Sequence, residues 1–399
     1  MDKSYKIILQ VMKAEIAKIK NAIDLEVERL DDPSFETGVL GVALFYIFYS
    51  KYSNDHHYLR KAENLIVKAL SKMDPEHFQK NYATDTIDNH LAHFGRLIKF
   101  CRQKNLIAFD VDDYLLGLDS ILFDLMKTKI TAGNFDYQSG ALAAGFYLIS
   151  RVDDVDGIKE KLAHLLVQID KMSLSDSDGG SYWKLITLQN RCYLGISHGS
   201  ALIISFVCNL LELQIEVALC EDILRRACKF LIKQKADFGK GLFPHYIEDI
   251  EIGPKQFSLC YGDLGIGYAL LRTGKLIKDS KIETTANQIL SNCLERKKED
   301  NLTFDASVTY GAAGLAITFE KIFKYTQDKK FLDATNYWSN NIAEYSIHDN
   351  QYAGYKSRVS NEANFGNLGF SWGIAGIGIV LMRSVDQRLP EISSLTLIA

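Results

Sequence analysis

The sequence predicts an all-α protein, a single α/α toroid (barrel) of seven helical hairpins with an inner and an outer ring of helices. Three observations predict it. Amphipathic stripes at helical spacing alternate with nearly apolar helical segments along the 399 residues. Each apolar segment opens on a small-residue or glycine-rich turn, and that turn recurs. Sustained period-two runs of β-branched residues are nearly absent. Composition agrees. A chain with 47% hydrophobic and 24% charged residues buries a large core, and five prolines against 27 glycines favour long helices with local punctuation.

The first stripe covers residues 5–30, where Ile7, Ile8, Val11, Ile16, Ile19, Ala22, Ile23 and Val27 share one helix face. Further stripes cover Tyr58–Met73, Tyr114–Lys127, Ile158–Met172, Cys220–Lys235, Ile282–Arg296 and Lys330–Ser346. Between them lie the glycine-turn segments Gly38–Tyr46, Gly140–Leu148, Gly195–Ile204, Gly262–Leu271, Gly311–Phe319 and Gly373–Leu381. A degenerate seventh, His90–Ile98, falls where the period places one, with His90 and His93 at the small positions. A helix apolar on one stripe lies at a surface, and one apolar all round is buried. Seven such pairs describe an outer ring around an inner one. Glycine at each inner start removes side chains where helix ends converge and bares N–H groups that attract anionic or polarised ligands. An open α-solenoid is the alternative. Against it, the last glycine motif has no polar capping repeat after it. Length alone suggests two or three domains, but the repeat reduces residues 1–399 to one.

Several function classes are excluded early. The net charge is −4 and the 46 basic residues are scattered, so no basic face offers itself to nucleic acid. The longest apolar run, Ala201–Leu211, contains Asn209 and is too short to span a bilayer. The chain opens on an amphipathic pattern, not a signal peptide. Seven cysteines without a CxxC fit a reducing, cytoplasmic setting.

In a toroid, chemistry belongs at the glycine turns, which gather around one mouth. Asp136 precedes the third turn, His198 sits in the fourth, and Cys260, Tyr261 and Asp263 flank Gly262 of the fifth. Asp305, Thr309 and Tyr310 precede the sixth turn, Trp372 the seventh, and His90 and His93 line the second. Each has a structural reading too. Cys260 is a small buried hydrophobe, His198 a turn-bonded histidine, Asp136 a helix cap and Tyr310 a space-filling donor. His90 and His93 are polar lining at i,i+3.

The motifs Gly195-Ile-Ser-His198-Gly199, Cys260-Tyr261-Gly262-Asp263-Leu-Gly265 and Gly369-Phe370-Ser-Trp-Gly373-Ile-Ala-Gly376-Ile-Gly378 resemble the signatures of the lanthionine synthetase C (LanC) family. Asp136 ahead of Ser139-Gly140 resembles that family's third-repeat motif, and the resemblance runs the length of the chain. It implies an α/α toroid and a zinc-dependent cyclase of ribosomal precursor peptides. Such enzymes add a cysteine thiol across a dehydroalanine or dehydrobutyrine, giving lanthionine or methyllanthionine. Zinc, on two cysteines and a histidine, depresses the pKa of the substrate thiol, and an acid protonates the enolate. By resemblance His198 and Asp136 stand at the acid/base positions and Cys260 at the first zinc ligand. The family's Cys-His-Gly at the sixth turn is here Thr309-Tyr310-Gly311, so two of three ligands are replaced. The sequence reading is therefore a protein without zinc, and a site rebuilt with His90 and His93 is disfavoured by the ligand geometry it must meet.

Three functions follow. The favoured one is a zinc-free partner that binds a dehydrated precursor peptide or a dehydratase. The next is a metal-free cyclase in which His198 takes the thiol proton and Asp136 or Tyr310 assists, proximity supplying much of the rate. In both, Cys260, Tyr261, Asp263, Thr309, His90, His93 and Trp372 contact substrate. The last is a glycosidase on the same fold, with Asp136, Asp263 and Asp305 as its carboxylates.

Overall fold

The computed structural model describes residues 3–73, 86–236, 239, 241–247, 256–357 and 366–398. Among them are fourteen α-helices and one hairpin of two-residue strands, β1 (Leu174–Ser175) and β2 (Ser181–Tyr182). Seven helices are buried around nearly their whole circumference: α2 (Val39–Ser53), α4 (Ile87–Gln103), α6 (Ala141–Arg151), α8 (Ser200–Glu212), α10 (Asp263–Leu276), α12 (Ala312–Thr326) and α14 (Ile374–Val385). The other seven bury one face: α1 (Lys3–Glu26), α3 (His57–Leu70), α5 (Asp112–Thr131), α7 (Ile158–Lys171), α9 (Val217–Lys233), α11 (Ser280–Glu295) and α13 (Lys329–Asn340). The alternation read from the stripes is therefore the alternation of the chain, and no described helix is long and apolar enough to cross a membrane.

The chain divides into two compact units. One comprises Met1–Gln79, Phe100–Phe109 and Asn301–Ser394. In it α2 packs on α3 and α12 on α13, and α14 touches both α2 and α12. The surface partner of α14 is α1, so the first helix of the chain completes its last hairpin. The other unit comprises Lys80–Lys99, Asp110–Asp300 and Leu395–Ala399. There α6 packs on α5 and α7, α8 on α9, α10 on α11, and α8 also lies against α10 and α6.

Five of the glycine turns, all but that of Gly262, share one construction. The residue six before the glycine turns its carbonyl onto the first N–H of the helix. Val39 donates to Asp32, Ala141 to Asn134, Ser200 to Tyr193, Ala312 to Asp305 and Ile374 to Asn367, at 2.8–3.1 Å. Where that residue is Asp or Asn, its Oδ1 also accepts from the N–H two residues on: Ser34 at 2.8 Å, Asp136 at 3.1 Å, Ser307 at 2.8 Å and Gly369 at 3.0 Å. The loop presses so close that a Cβ at Gly38 or Gly311 would lie 2.1 or 2.3 Å from the Asp32 or Asp305 carbonyl oxygen. These helix starts are thus closed by their own loops. At these five starts the expectation that glycine bares the first N–H for a ligand is corrected: that group is already bonded.

The far ends are locked by arginines. Arg383, ten residues after Gly373, makes a two-pronged bond to Glu320 of α12 at 2.6 and 2.8 Å. Arg272 of α10 bonds Asn209 and Glu212 of α8 at 2.7 and 2.8 Å, and Arg151 of α6 bonds Asp119 of α5 at 2.9 and 3.0 Å. Each places a cation in the last turns of a helix, where the dipole favours it.

Candidate functional site

Asp136 is fully buried in the loop ahead of Gly140. Its Oδ1 accepts from the N–H groups of Gln138 and Ser139 at 2.8 and 3.0 Å, which leaves Oδ2 for His198 Nδ1 at 2.6 Å. Burial pushes the Asp136 carboxyl up, but the His198 imidazole and the two backbone donors outweigh it and hold the carboxyl below its ordinary 3.8. An ionised acceptor assigns a proton to His198 Nδ1 and leaves Nε2 outside that bond. The His198 side chain is only 11% exposed.

The loop that carries His198 is held by a second segment. Leu194 N–H donates to the His245 carbonyl and Ile247 N–H to that of Cys192, both at 3.0 Å, and Tyr193 pairs with Tyr246. This pairing stacks the His245 ring on Tyr261, with centroids 4.6 Å apart and planes at 24°. Tyr261 and Tyr193 in turn lie 6.5 and 6.1 Å from the His198 ring. Burial raises the Tyr261 phenol and keeps it protonated. Sequence reasoning missed His245, because it adjoins no glycine turn and only strand-like pairing brings it here.

Cys260 is buried, and its carbonyl oxygen would sit 3.3 Å from a Cβ at Gly195. The turn of Cys260 and the turn of His198 are therefore in backbone contact. Gly262 adopts φ +101°, a left-handed conformation that only glycine takes without strain.

Asp263 faces the protein interior. It is fully buried, accepts from Leu242 and Phe243 N–H at 2.9 and 3.2 Å, and is bonded by Arg296. Arg296 in turn covers the Phe257 ring at 4.9 Å. The carboxylate anchors backbone, with both oxygens engaged by Leu242, Phe243 and Arg296. His90 and His93 are also buried, not mouth-lining, at 3% and 5% exposure. His93 Nε2 lies 3.0 Å from the Tyr137 hydroxyl, and burial keeps its imidazole neutral. Asp305 holds its own loop through Ser307, so neither Asp263 nor Asp305 offers the open carboxylate that glycoside hydrolysis needs.

Thr309, Tyr310 and Trp372 belong to the first unit. Thr309 N–H donates to Ser371 at 2.9 Å, and Tyr310 lies parallel to Trp372 with centroids 6.4 Å apart. At the ligand positions that the family resemblance implies, the side chains are one thiol and two neutral hydroxyls. Neutral hydroxyls do not match the thiolate and imidazole donors of a zinc site. Among the described residues no group of three or more His, Cys, Asp or Glu is placed to hold a metal ion. These residues do not fit zinc.

Compared with solved structures, the chain matches nisin cyclase with a TM-score of 0.75 and 16% identity, covering 97% of each chain. That likeness shows the fold, an α/α toroid. Cellobiose 2-epimerase from Bacillus thermoamylovorans B4167 and a sugar epimerase from a ruminal bacterium give TM-scores of 0.40 and 0.39 at 9% and 12% identity. They cover 94% and 95% of this chain and 100% and 99% of their own, and carry no argument at those scores. No curated protein matches by sequence. Residues 29–397 match the family model of the lanthionine synthetase C-like proteins, and the chain belongs to that family.

Proposed function

We propose that this protein modifies lanthipeptides without zinc. It takes up a dehydrated ribosomal precursor peptide and promotes addition of a cysteine thiol to dehydroalanine or dehydrobutyrine, with His198 and Asp136 as the acid/base pair. The 2.6 Å bond between them supports this reading most directly. Peptide binding alone does not call for a buried, ionised carboxylate aimed at an imidazole, an arrangement costly to desolvate. General acid/base catalysis does, because it fixes the tautomer and stabilises the imidazolium that forms. Thiol addition needs a thiolate, an aligned acceptor and a proton source, and proximity supplies much of the rate. The seven buried thiols suit a reducing, cytoplasmic setting.

The loss of the sixth-turn ligands to Thr309 and Tyr310 favours a second reading, in which the same surface holds a precursor peptide or a dehydratase without chemistry. One experiment separates them. The purified chain is incubated with a dehydrated, cysteine-containing precursor, with and without a chelator, while free thiol and peptide binding are followed. Thiol loss above the uncatalysed rate and insensitive to chelator is expected. Binding without thiol loss moves the assignment to the second reading. Strict dependence on one equivalent of zinc overturns the metal-free chemistry.

A further inference from the structure

We propose that His245 is a second acid/base group of this site, the one that takes the proton from the incoming thiol. The proposal rests on the cyclase reading above. Metal-free addition moves protons at two different atoms, the sulfur and the α-carbon. The thiol proton goes to a base as the sulfur lone pair forms the C–S bond at the β-carbon. The displaced π pair becomes the enolate, and an acid then protonates the α-carbon. Nothing is oxidised or reduced, and the proton left on the base returns through solvent to recharge the acid. His198 has one nitrogen for this work, because Asp136 holds the other. A site with one imidazole performs the two transfers in turn, whereas a site with two places a group at each atom.

Independent constraints bring His245 to the site. Its carbonyl accepts from Leu194 in the loop of His198, the next residue pairs with Tyr193, and its ring stacks on Tyr261. Tyr261 thereby neighbours both imidazoles and directly follows Cys260, whose backbone abuts Gly195. The other side chains there are poor bases. Tyr193, Tyr246 and Tyr261 are phenols, and Arg191 lies over Tyr246 at 4.5 Å as a permanent cation. His245 is half-buried and its Nε2 is enclosed by protein, so Nδ1 is the nitrogen assigned to the incoming thiol.

The test uses the full chain and a synthetic peptide carrying one dehydroalanine and one cysteine. His245→Ala and His245→Phe are compared with wild type for thiol loss above background and for peptide binding. Phe keeps a ring against Tyr261 but has no base. Both variants are expected to lose about 10²-fold or more in rate while binding peptide as wild type does. Imidazole in the buffer is expected to restore part of the rate to His245→Ala, which leaves room for it, and none to His245→Phe. A His245→Phe rate equal to wild type overturns the proposal and leaves the cyclase reading standing. Failure of imidazole to restore His245→Ala, with its fold and binding intact, also overturns it. A wild-type chain with no rate above background overturns both readings.

Discussion

Asp136 gives one carboxylate oxygen to its own loop and the other to His198. Replacement by Asn separates the two duties. The amide oxygen still accepts from Gln138 and Ser139, while the amide nitrogen turned to His198 demands the opposite tautomer. Asp136→Asn is therefore expected to slow thiol addition by about 10²–10⁴-fold with peptide binding retained, measured as rate beside affinity. The pH dependence has a definite sign. The folded carboxyl lies below its ordinary 3.8, so the pair stabilises the fold above that pH and loses this effect as pH falls through the depressed value. Denaturant melts of wild type and Asp136→Asn should differ at neutral pH and converge in acid below about pH 4. Both residues were legible in the sequence from their motifs. That they form one unit was not, because 62 residues separate them and only the fold closes the gap.

The glycine turn and the arginine lock are two ends of one element. Gly311→Ala drives a Cβ against the Asp305 carbonyl and the Ser307 N–H, both fixed backbone, and is expected to cost about 1–3 kcal/mol. Gly117→Ala, on the exposed face of α5 with nothing within 4 Å of the new methyl, is expected to add about 0.5–1 kcal/mol. Chemical denaturation of the two variants checks both signs. The glycines were legible as a repeat, but their purpose was misread as openness to ligands. A close approach between a loop and a helix start leaves no trace in composition, and the Asp or Asn six residues upstream was the signal that marks it. Arg151, Arg272 and Arg383, ten or eleven residues beyond their glycines, were equally countable. Their partners Asp119, Glu212 and Glu320 lie on other helices, where periodicity does not reach.

At the scale of the molecule, hydrophobic period alone carried the order of helices, because burial all round and burial on one face leave different patterns. What that pattern omits is which helix covers which. The stripe of α1 shows that it needs a partner, and the structure names α14. Ile19 of α1 is fully buried and would meet a Cβ at Gly378 at 3.1 Å. Ile19→Ala is therefore expected to cost about 2–4 kcal/mol in a denaturant melt, a core penalty near the start of the chain. The pairing of α1 with α14 also sets a timetable. At about 5–20 residues per second, the ribosome needs roughly 20–70 s after making α1 before α14 is complete. For that interval the nascent protein carries an apolar helix face with no native cover. The last hairpin is thus assembled from two helices that leave the ribosome more than 300 residues apart.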